Sequence, residues 1–375
     1  MKSRPFDLSP PKPHRGWSSD LLELENAYAV PPQESDFIQP AGVLHADGRY
    51  CPRGALWRKH RPMTLRPERP LGDVPRLGGT WLWGGMLWGH FGHFLVESTN
   101  RLWPLPQLED RLDGLLYIPK RPRREDKVFT FQSDFLHLLG CDLPVRVITD
   151  PTRVERLFVP GQGFGLGEIA AGTPAFRDTI HSRFGRDIAP DGPARLYISR
   201  SRLGPGKGGL IYEDDIEARL ADHGYEIFHP QAHDLPTQVA RYKAADTILA
   251  SEGSALHLVG MTARADQRIG TLLRRRSHAT AMIEKHITSF SGRAPVIVDA
   301  LIRNWRPKNT PRKHMWQGEH DLPQLQKILE TEGFIDAGGT AWQARSEAQT
   351  AQELGPRFEL AKSYARHQKA GVTAA

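Results

Sequence analysis

The chain has 375 residues and a formal net charge of +7. It is longer than a chain that folds around one ordinary hydrophobic core, so we expect two domains. Its two cysteines, Cys51 and Cys141, exclude a disulfide framework and a cysteine-rich zinc site, and they indicate a reducing compartment. The positive charge favours an anionic partner, but the basic residues are not interleaved with aromatic ones, so nucleic acid is not the expected partner.

Residues 1–40 are rich in proline and weakly patterned, and we expect an extension that wraps over a folded body. The stretch MKSRPFDLSPPKPHRGW lacks the apolar core of a signal peptide. No apolar run reaches the roughly 18 residues that a transmembrane helix needs. We therefore expect a cytoplasmic protein, with peripheral contact at the anionic inner face of the membrane as an open option.

Alternating strand and helix patterns predict an α/β domain over residues 41–160. The predicted elements are strands in AGVLHADG, GALWR and GGTWLWGGML, a helix over 89–103, a strand in DGLLYIP, a helix in KVFTFQSDFLHLLG, and strands in PVRVIT and RVERLFVPG. Residues 161–193 contain GQGFGLGE, whose glycine spacing does not meet the dinucleotide fingerprint. We interpret this segment as a linker or hinge loop.

Residues 194–301 repeat the alternation more regularly and predict a second α/β domain with a parallel, doubly wound sheet. Its predicted elements, strand and helix in turn, are RLYISR, YEDDIEARLADHG, YEIFHP, LPTQVARYKAA, DTILAS, GSALHLVGMT and RIGTLLRR, with a last strand in PVIVDAL. Residues 302–375 are predicted to form a basic linker and C-terminal helices, in DLPQLQKILETEG and at roughly 341–370.

The stretch WGHFGHFLVESTNRLW places four polar residues in an apolar segment. His90, His93, Glu97 and Arg101 are spaced by three, four and four positions, so on a helix they form one stripe. Such a stripe is typical of one wall of a reactive cleft. Polar residues held inside a core would give the same pattern, and the stretch alone does not decide between the two.

A second polar group follows two strands of the second predicted domain. It comprises Arg200 and Arg202 after RLYIS, and Glu252, Gly253, Ser254 and His257 after DTILAS. Ligands of α/β sheets bind beyond the carboxyl ends of the strands, and arginines with a helix N-terminus suit phosphate. These residues predict a metal-free cradle for a nucleotide diphosphate, with Glu252 on ribose hydroxyls. Surface ion pairs, a helix N-cap at Ser254 and a buried structural His257 are the alternatives.

In order, GHFLVESTNRLW, YISRSR and YEIFHPQAHDLPTQVARYKAADTILASEGSALH resemble bacterial members of glycosyltransferase family 61, over roughly residues 80–275. The resemblance implies a GT-B architecture, in which two Rossmann-like doubly wound domains face each other across a cleft and the donor nucleotide lies on the C-terminal one. One departure is Tyr212, where the family more often has asparagine.

The resemblance also implies an inverting transfer of sugar from a nucleotide sugar to a glycan or lipid-linked glycan, in the synthesis of cell-surface polysaccharide. Neither a metal nor another cofactor is expected. The base that this transfer needs is predicted to be Glu97 first and His93 second, with a pKa of Glu97 raised by apolar neighbours and with Arg101 fixing Glu97. Two alternatives stay open, namely a metal hydrolase using His90, His93 and Glu97, and a non-catalytic protein that binds nucleotide sugar or glycan.

Overall fold

The computed structural model describes residues 9–122, 127–204 and 206–364, which form two compact units. The first unit extends to Ala189 and includes two later segments, His257–Ala263 and Met282–Gly292. The second comprises Pro190–Leu256, Arg264–Ala281 and the chain from Arg293 onward. This division differs from the predicted one, because two short segments of the C-terminal half pack within the first unit.

The first unit contains a six-stranded mixed sheet with the order β3-β1-β10-β7-β8-β9. The strands of this unit are β1 Leu21–Val30, β2 Gln39–Pro40, β3 Gly42–Leu44, β4 Trp57–Arg58, β5 Arg61–Pro62, β6 Thr64–Leu65, β7 Arg76–Leu87, β8 Gly114–Pro119, β9 Val145–Val147 and β10 Thr152–Pro160. Strands β10, β7, β8 and β9 are parallel, whereas β1 is antiparallel to β10 and β3. The prediction of an α/β unit is therefore confirmed, but the antiparallel strands β1 and β3 depart from the Rossmann-like, doubly wound sheet that the resemblance implied.

Strand β1 also corrects the description of residues 1–40 as a wrapping extension. Its residues from Ala27 to Val30 are buried, and it pairs with β10 over most of its length. Ala27 and Ala29 belong to the core cluster that also holds Trp83 and Leu157, whereas Tyr28 and Val30 pack with Leu44 in a smaller cluster. Residues 1–8 of the predicted extension lie outside the described residues.

The helices of the first unit are short. They are α1 Phe91–His93, a π-helix at Phe94–Ser98, α2 Leu105–Leu108, α3 Thr130–Leu138 and α4 Pro174–Arg183. The predicted helix over 89–103 is thus replaced by one α-helical turn and one wider π-helical turn that ends at Ser98. Helix α4 lies in the segment predicted as a linker, and the side chain of Thr173 accepts a hydrogen bond from the Phe176 amide at its start.

The second unit contains a five-stranded sheet with the order β12-β11-β13-β14-β15, parallel throughout. The strands of this sheet and the helices that connect them are β11 Arg195–Ile198, α5 Glu213–Asp222, β12 Glu226–Phe228, α6 Leu235–Ala244, β13 Thr247–Ser251, α7 Ala255–Thr262, β14 Arg268–Leu272, α8 His278–Ser291 and β15 Val296–Val298. Helix α7 from His257 and helix α8 from Met282 belong to the first unit. The prediction of a parallel sheet in this half is confirmed. Helix α8 was not predicted.

A three-stranded antiparallel sheet, in the order β17-β16-β18, completes the second unit. Its region contains β16 Leu301–Pro307, β17 Gln317–His320, α9 Leu322–Thr331, α10 Glu347–Leu354 and β18 Phe358–Ser363. The helix predicted at 341–370 is therefore α10 followed by a strand, and its part beyond residue 364 lies outside the described residues. Among the described segments, no helix combines the length and apolarity needed to cross a membrane.

Short 3-10 turns connect several of these elements. They are Gly16–Ser19, Pro52–Gly54, Glu109–Arg111, Glu168–Ala171, Pro230–Ala232 and Lys313–Met315.

Candidate functional site

Glu97 is the centre of a hydrogen-bonded group in the first unit. It lies in the π-helix and is only 1% exposed. The guanidinium of Arg58, from strand β4, donates to both carboxylate oxygens, Nε to Oε1 at 2.7 Å and Nη2 to Oε2 at 2.6 Å. The ring of His93, one turn before Glu97, places Nδ1 2.7 Å from Oε2. The predicted proximity of His93 and Glu97 is therefore present in the structure, with Arg58 as an additional partner.

These contacts lower the basicity of Glu97. Burial alone raises the pKa of this carboxyl, but the hydrogen bonds from His93 and Arg58 outweigh burial, and the pKa lies below the ordinary value of a glutamate. The prediction of a raised pKa is therefore wrong. A buried carboxylate that is ionised, and whose two oxygens already accept hydrogen bonds, is a poor general base.

His93 is better placed to accept a proton. A carboxylate only accepts hydrogen bonds, so Nδ1 of His93 carries the hydrogen that it donates to Glu97, and in the neutral ring the lone pair is on Nε2. The longer contact of Nδ1 with Arg58 Nη2, 3.3 Å, is secondary to this bond. The His93 side chain is about one-third exposed, whereas that of Glu97 is fully buried. The pair thus has the arrangement of a base and the carboxylate that orients it.

Arg101 does not pair with Glu97, which corrects the predicted salt bridge. Because the regular helix ends at Ser98, Arg101 turns into the core and donates to the carbonyl oxygens of Pro160 and Ala55. Burial lowers the pKa of its guanidinium to about 10. Arg101 is thus a structural residue that satisfies main-chain acceptors.

The two remaining histidines of the predicted site lie in the first unit. His90 precedes α1, and its ring centroid is 5.2 Å from that of His93. His257 was predicted to line the nucleotide cradle, but its segment packs within the first unit. There its Nδ1 lies 3.2 Å from Nδ1 of His286. Burial and the nearby His93 lower the pKa of His257 to about 4, so it is neutral at physiological pH.

In the second unit, Arg200 and Gly253 come together as predicted, at the carboxyl ends of β11 and β13. The Arg200 guanidinium donates to the carbonyl of Gly208, with Nη2 at 2.9 Å. A methyl group on Gly253 would lie 2.5 Å from Nη1 of Arg200, so glycine is required for this approach. The backbone N–H of Arg200 is held by Glu213 Oε1 at 2.9 Å. This arrangement fixes the guanidinium beside the turn that precedes α7.

Glu252 lies in the same turn and is 1% exposed. Its Oε1 is 3.7 Å from Arg275 Nε, and its Oε2 has no hydrogen-bond partner among the described residues. Arg274 is buried near Arg200 and Arg275, and burial with these two cations lowers its pKa to about 9. The turn is surrounded by three positive and two negative side chains, which leaves an excess positive charge. These are Arg200, Arg274 and Arg275 against Glu213 and Glu252.

The other predicted cradle residues are more exposed. Ser254 immediately precedes α7, in the N-cap position, and Arg202 is exposed. Sequence reasoning missed Arg274 and Arg275, although they directly follow strand β14, which lies beside β13. It also missed Glu213, and Arg58 in the first unit, which is 39 positions from Glu97.

The predicted hydrolase requires His90, His93 and Glu97 to converge on one metal ion. No group of three histidine, cysteine, aspartate or glutamate side chains in the described parts of the chain is arranged to hold a metal. The carboxylate of Glu97 is instead turned to Arg58 and His93. The geometry of these residues therefore gives the hydrolase no support.

The parallel strands and the helices that connect them place the chain among α/β proteins. Residues 91–268 match the family model described as Glycosyltransferase 61. This match confirms the resemblance to glycosyltransferase family 61 over these residues.

One solved structure is similar over 73% of this chain and 81% of its own chain, with 14% sequence identity and a TM-score of 0.30. It is a dodecameric, iron-containing heptosyltransferase, TibC, in complex with ADP-D-β-D-heptose. This similarity is too low to support a conclusion. No curated protein matches the chain in sequence.

Proposed function

We propose that the chain is a nucleotide-sugar-dependent glycosyltransferase of GT-B type that inverts the sugar carbon without a metal ion. The donor is bound by the second unit, and the base comes from the first. The acceptor is a glycan or a lipid-linked glycan of cell-surface polysaccharide synthesis. The observation that carries the proposal is the excess of arginine charge at the β13–α7 turn. Arg200 and the turn itself lie within residues 91–268, which match a glycosyltransferase family, and Arg274 and Arg275 follow shortly after.

The donor diphosphate is assigned to Arg200, Arg275 and the N-terminus of α7 at Gly253 and Ser254. Guanidinium groups and free main-chain N–H groups suit phosphate oxygens, and they stabilise the charge that develops on a leaving diphosphate. The unpartnered Oε2 of Glu252 suits a hydroxyl donor such as a ribose. With these assignments, the exposed Arg202 lies at the margin of the proposed donor site.

His93 is assigned as the base. Its Nε2 takes the proton of the acceptor hydroxyl while the hydroxyl oxygen bonds to the sugar carbon and the bond to the diphosphate breaks, its electron pair leaving with the phosphate oxygen. Glu97 holds Nδ1–H and stabilises the imidazolium that forms, and Arg58 holds Glu97. Glu97 is thus a positioning residue, and the order of the two candidate bases is reversed.

The test measures nucleotide release from UDP-, GDP-, CMP- and ADP-sugars in the presence of polysaccharide-derived acceptors. His93→Ala is expected to lower turnover roughly 100-fold or more, with nucleotide affinity unchanged. His137→Ala is the matched control, because His137 forms a similar pair with Asp142, Nδ1 to Oδ1 at 2.9 Å, on the protein surface.

Two outcomes would contradict the proposal. Equal turnover by the parent and His93→Ala would remove His93 as the base. Nucleotide-sugar binding without turnover against every acceptor would favour the alternative of a non-catalytic binding protein.

A further inference from the structure

An exposed aromatic residue adjoins the His93–Glu97 pair. Phe37 is 56% exposed, and the guanidinium carbon of Arg58 lies 5.4 Å from its ring centroid. The same guanidinium lies 5.1 Å from the ring of Trp88, whose centroid is 4.7 Å from that of His93. Phe37 and Trp88 thus flank the arginine that binds Glu97. We call Phe37, Trp88 and Lys120 the aromatic shelf.

The shelf offers the contacts that a sugar ring makes. The C–H groups on one face of a sugar carry partial positive charge, and aromatic faces attract them. The indole Nε1 of Trp88 is buried and has no hydrogen-bond acceptor within the described segments. A buried donor of this kind is normally satisfied, so an oxygen of a bound ligand is a suitable partner.

Lys120 adds a positive charge to the shelf. Its Nζ lies 5.7 Å from the Trp88 ring and donates to the main-chain carbonyls of Asp36, at 2.6 Å, and Phe37, at 3.4 Å. These acceptors are neutral, and Lys120 forms no salt bridge with a carboxylate in the described part of the chain.

The charges around Lys120 leave a positive excess. Within the part of the chain that the structure describes, Arg58 and Arg121 are the neighbouring cations, and Asp36 and Glu97 are the neighbouring anions. With Lys120 itself, three cations face two carboxylates, and the charge of Glu97 is already engaged by Arg58. The shelf is therefore complementary to an acidic group.

We propose that the acceptor glycan carries an acidic sugar, whose ring packs on Phe37 and whose carboxylate or phosphate group pairs with Lys120. This inference rests on the proposed function, since it names the class of acceptor that His93 would activate. The shared chemistry is an anionic oxygen group on a sugar, from a uronic acid or from a sugar phosphate.

The experiment measures direct binding of trigalacturonate, maltotriose 6-phosphate and maltotriose by calorimetry, without a donor. We expect the parent to bind at least one of the acidic trisaccharides about tenfold or more tightly than maltotriose, because one charge-assisted contact is lost with the neutral sugar. Phe37→Ala and Lys120→Gln are each expected to weaken that binding about tenfold. Binding of only one acidic probe identifies which acid the shelf takes.

Two matched variants control for surface changes. Leu71 is 92% exposed, and Lys308 is exposed in the second unit, so Leu71→Ala and Lys308→Gln are expected to bind like the parent. Equal affinity for acidic and neutral trisaccharides, no binding of any of them, or unchanged binding by both shelf variants would overturn the inference.

Titration of nucleoside diphosphates on the same samples separates this inference from the proposed function. Acid-selective glycan binding without nucleotide binding would contradict the proposed donor site alone. Nucleotide binding without acid selectivity would contradict the aromatic shelf alone.

Discussion

At the scale of single residues, Glu97 places a negative charge in the interior of the first unit. It is buried, and its partners are Arg58, whose side chain is 15% exposed, and His93. Removing one member of such a pair leaves the other charge buried without its counterion, which costs more than the pair itself contributes. Glu97 therefore has a structural effect besides its proposed role in orienting His93.

We predict that Glu97→Gln lowers the stability of the fold by about 3 kcal/mol at pH 7. The folded pKa of Glu97 lies below its unfolded value, so its contribution is fully present above the unfolded pKa and is lost as pH falls through the folded pKa. The melting temperatures of parent and variant should therefore differ at pH 7 and converge in acid. The exposed Glu68→Gln is the control. A gap that persists unchanged in acid would show that the Glu97 charge is not the cause.

The residues of the two sites differ in how far the sequence could reveal them. The pairing of His93 with Glu97 follows from local spacing, because residues four apart share a helix face. Arg58 has no such signal, since it belongs to a two-residue strand that meets Glu97 only through tertiary packing. Arg274 and Arg275 did carry a signal, namely their position at the C-terminal end of RIGTLLRR, a predicted strand of the same parallel sheet.

At the scale of elements, the β13–α7 turn leaves no room for a side chain at position 253 unless Arg200 moves. Gly253 has the Arg200 guanidinium beside it, while the residue before it is the buried Glu252. A side chain at position 253 has to displace Arg200, because the neighbouring Glu252 amide is already bound to the Leu272 carbonyl at 2.9 Å.

We predict that Gly253→Ala weakens the binding of nucleoside diphosphates roughly tenfold, because it moves Arg200 and costs about one charge-assisted hydrogen bond. Gly206→Ala is the matched control, since a methyl group there meets nothing within 4 Å. Calorimetric titration of each variant gives the comparison. Unchanged affinity in Gly253→Ala would place the phosphate elsewhere.

The elements also show why the sequence predicted one sheet better than the other. The strands of the second unit are short apolar runs joined by nearby helices, so local patterning is sufficient. Strand β1 pairs instead with β10, more than a hundred residues later, and its sequence LLELENAYAV alternates only in part. Local patterning contains no information about such a pairing.

Tyr212 is the residue that departs from the pattern of the resembled family, and its packing explains how a tyrosine is accommodated there. It precedes α5 with φ of 59°, a left-handed conformation that asparagine tolerates better than tyrosine. Its ring lies 3.8 Å from the Arg345 guanidinium carbon, and its hydroxyl donates to Thr350 Oγ1 at 3.0 Å. These contacts with the region of α10 offset the backbone strain.

At the scale of the whole molecule, the proposal assigns donor binding and proton removal to different units. The second unit carries an excess of arginine charge at its strand ends, and the first carries the imidazole–carboxylate pair. Arginines can balance the charge of a diphosphate without a divalent ion. The proposed transfer therefore needs no metal ion.

We predict that transfer activity is retained in excess EDTA, measured as nucleotide release with the donor and acceptor that the parent uses. Addition of manganese or magnesium should change the rate less than about twofold, since guanidinium groups already provide the positive charge. Activity that is abolished by EDTA and restored by manganese would require a metal-assisted mechanism and would contradict the assignment of Arg200 and Arg275.

The central claim is that the second unit binds the diphosphate of a nucleotide sugar through Arg200. Calorimetric titration of UDP, GDP, CDP and ADP into the parent and Arg200→Ala tests it most directly, with the exposed Arg312→Ala as control. We predict that the parent and the control bind at least one of these nucleotides alike and that Arg200→Ala binds it at least tenfold more weakly, with its fold intact by circular dichroism. Absence of binding to every nucleotide, or equal affinity in the parent and Arg200→Ala, would contradict the claim.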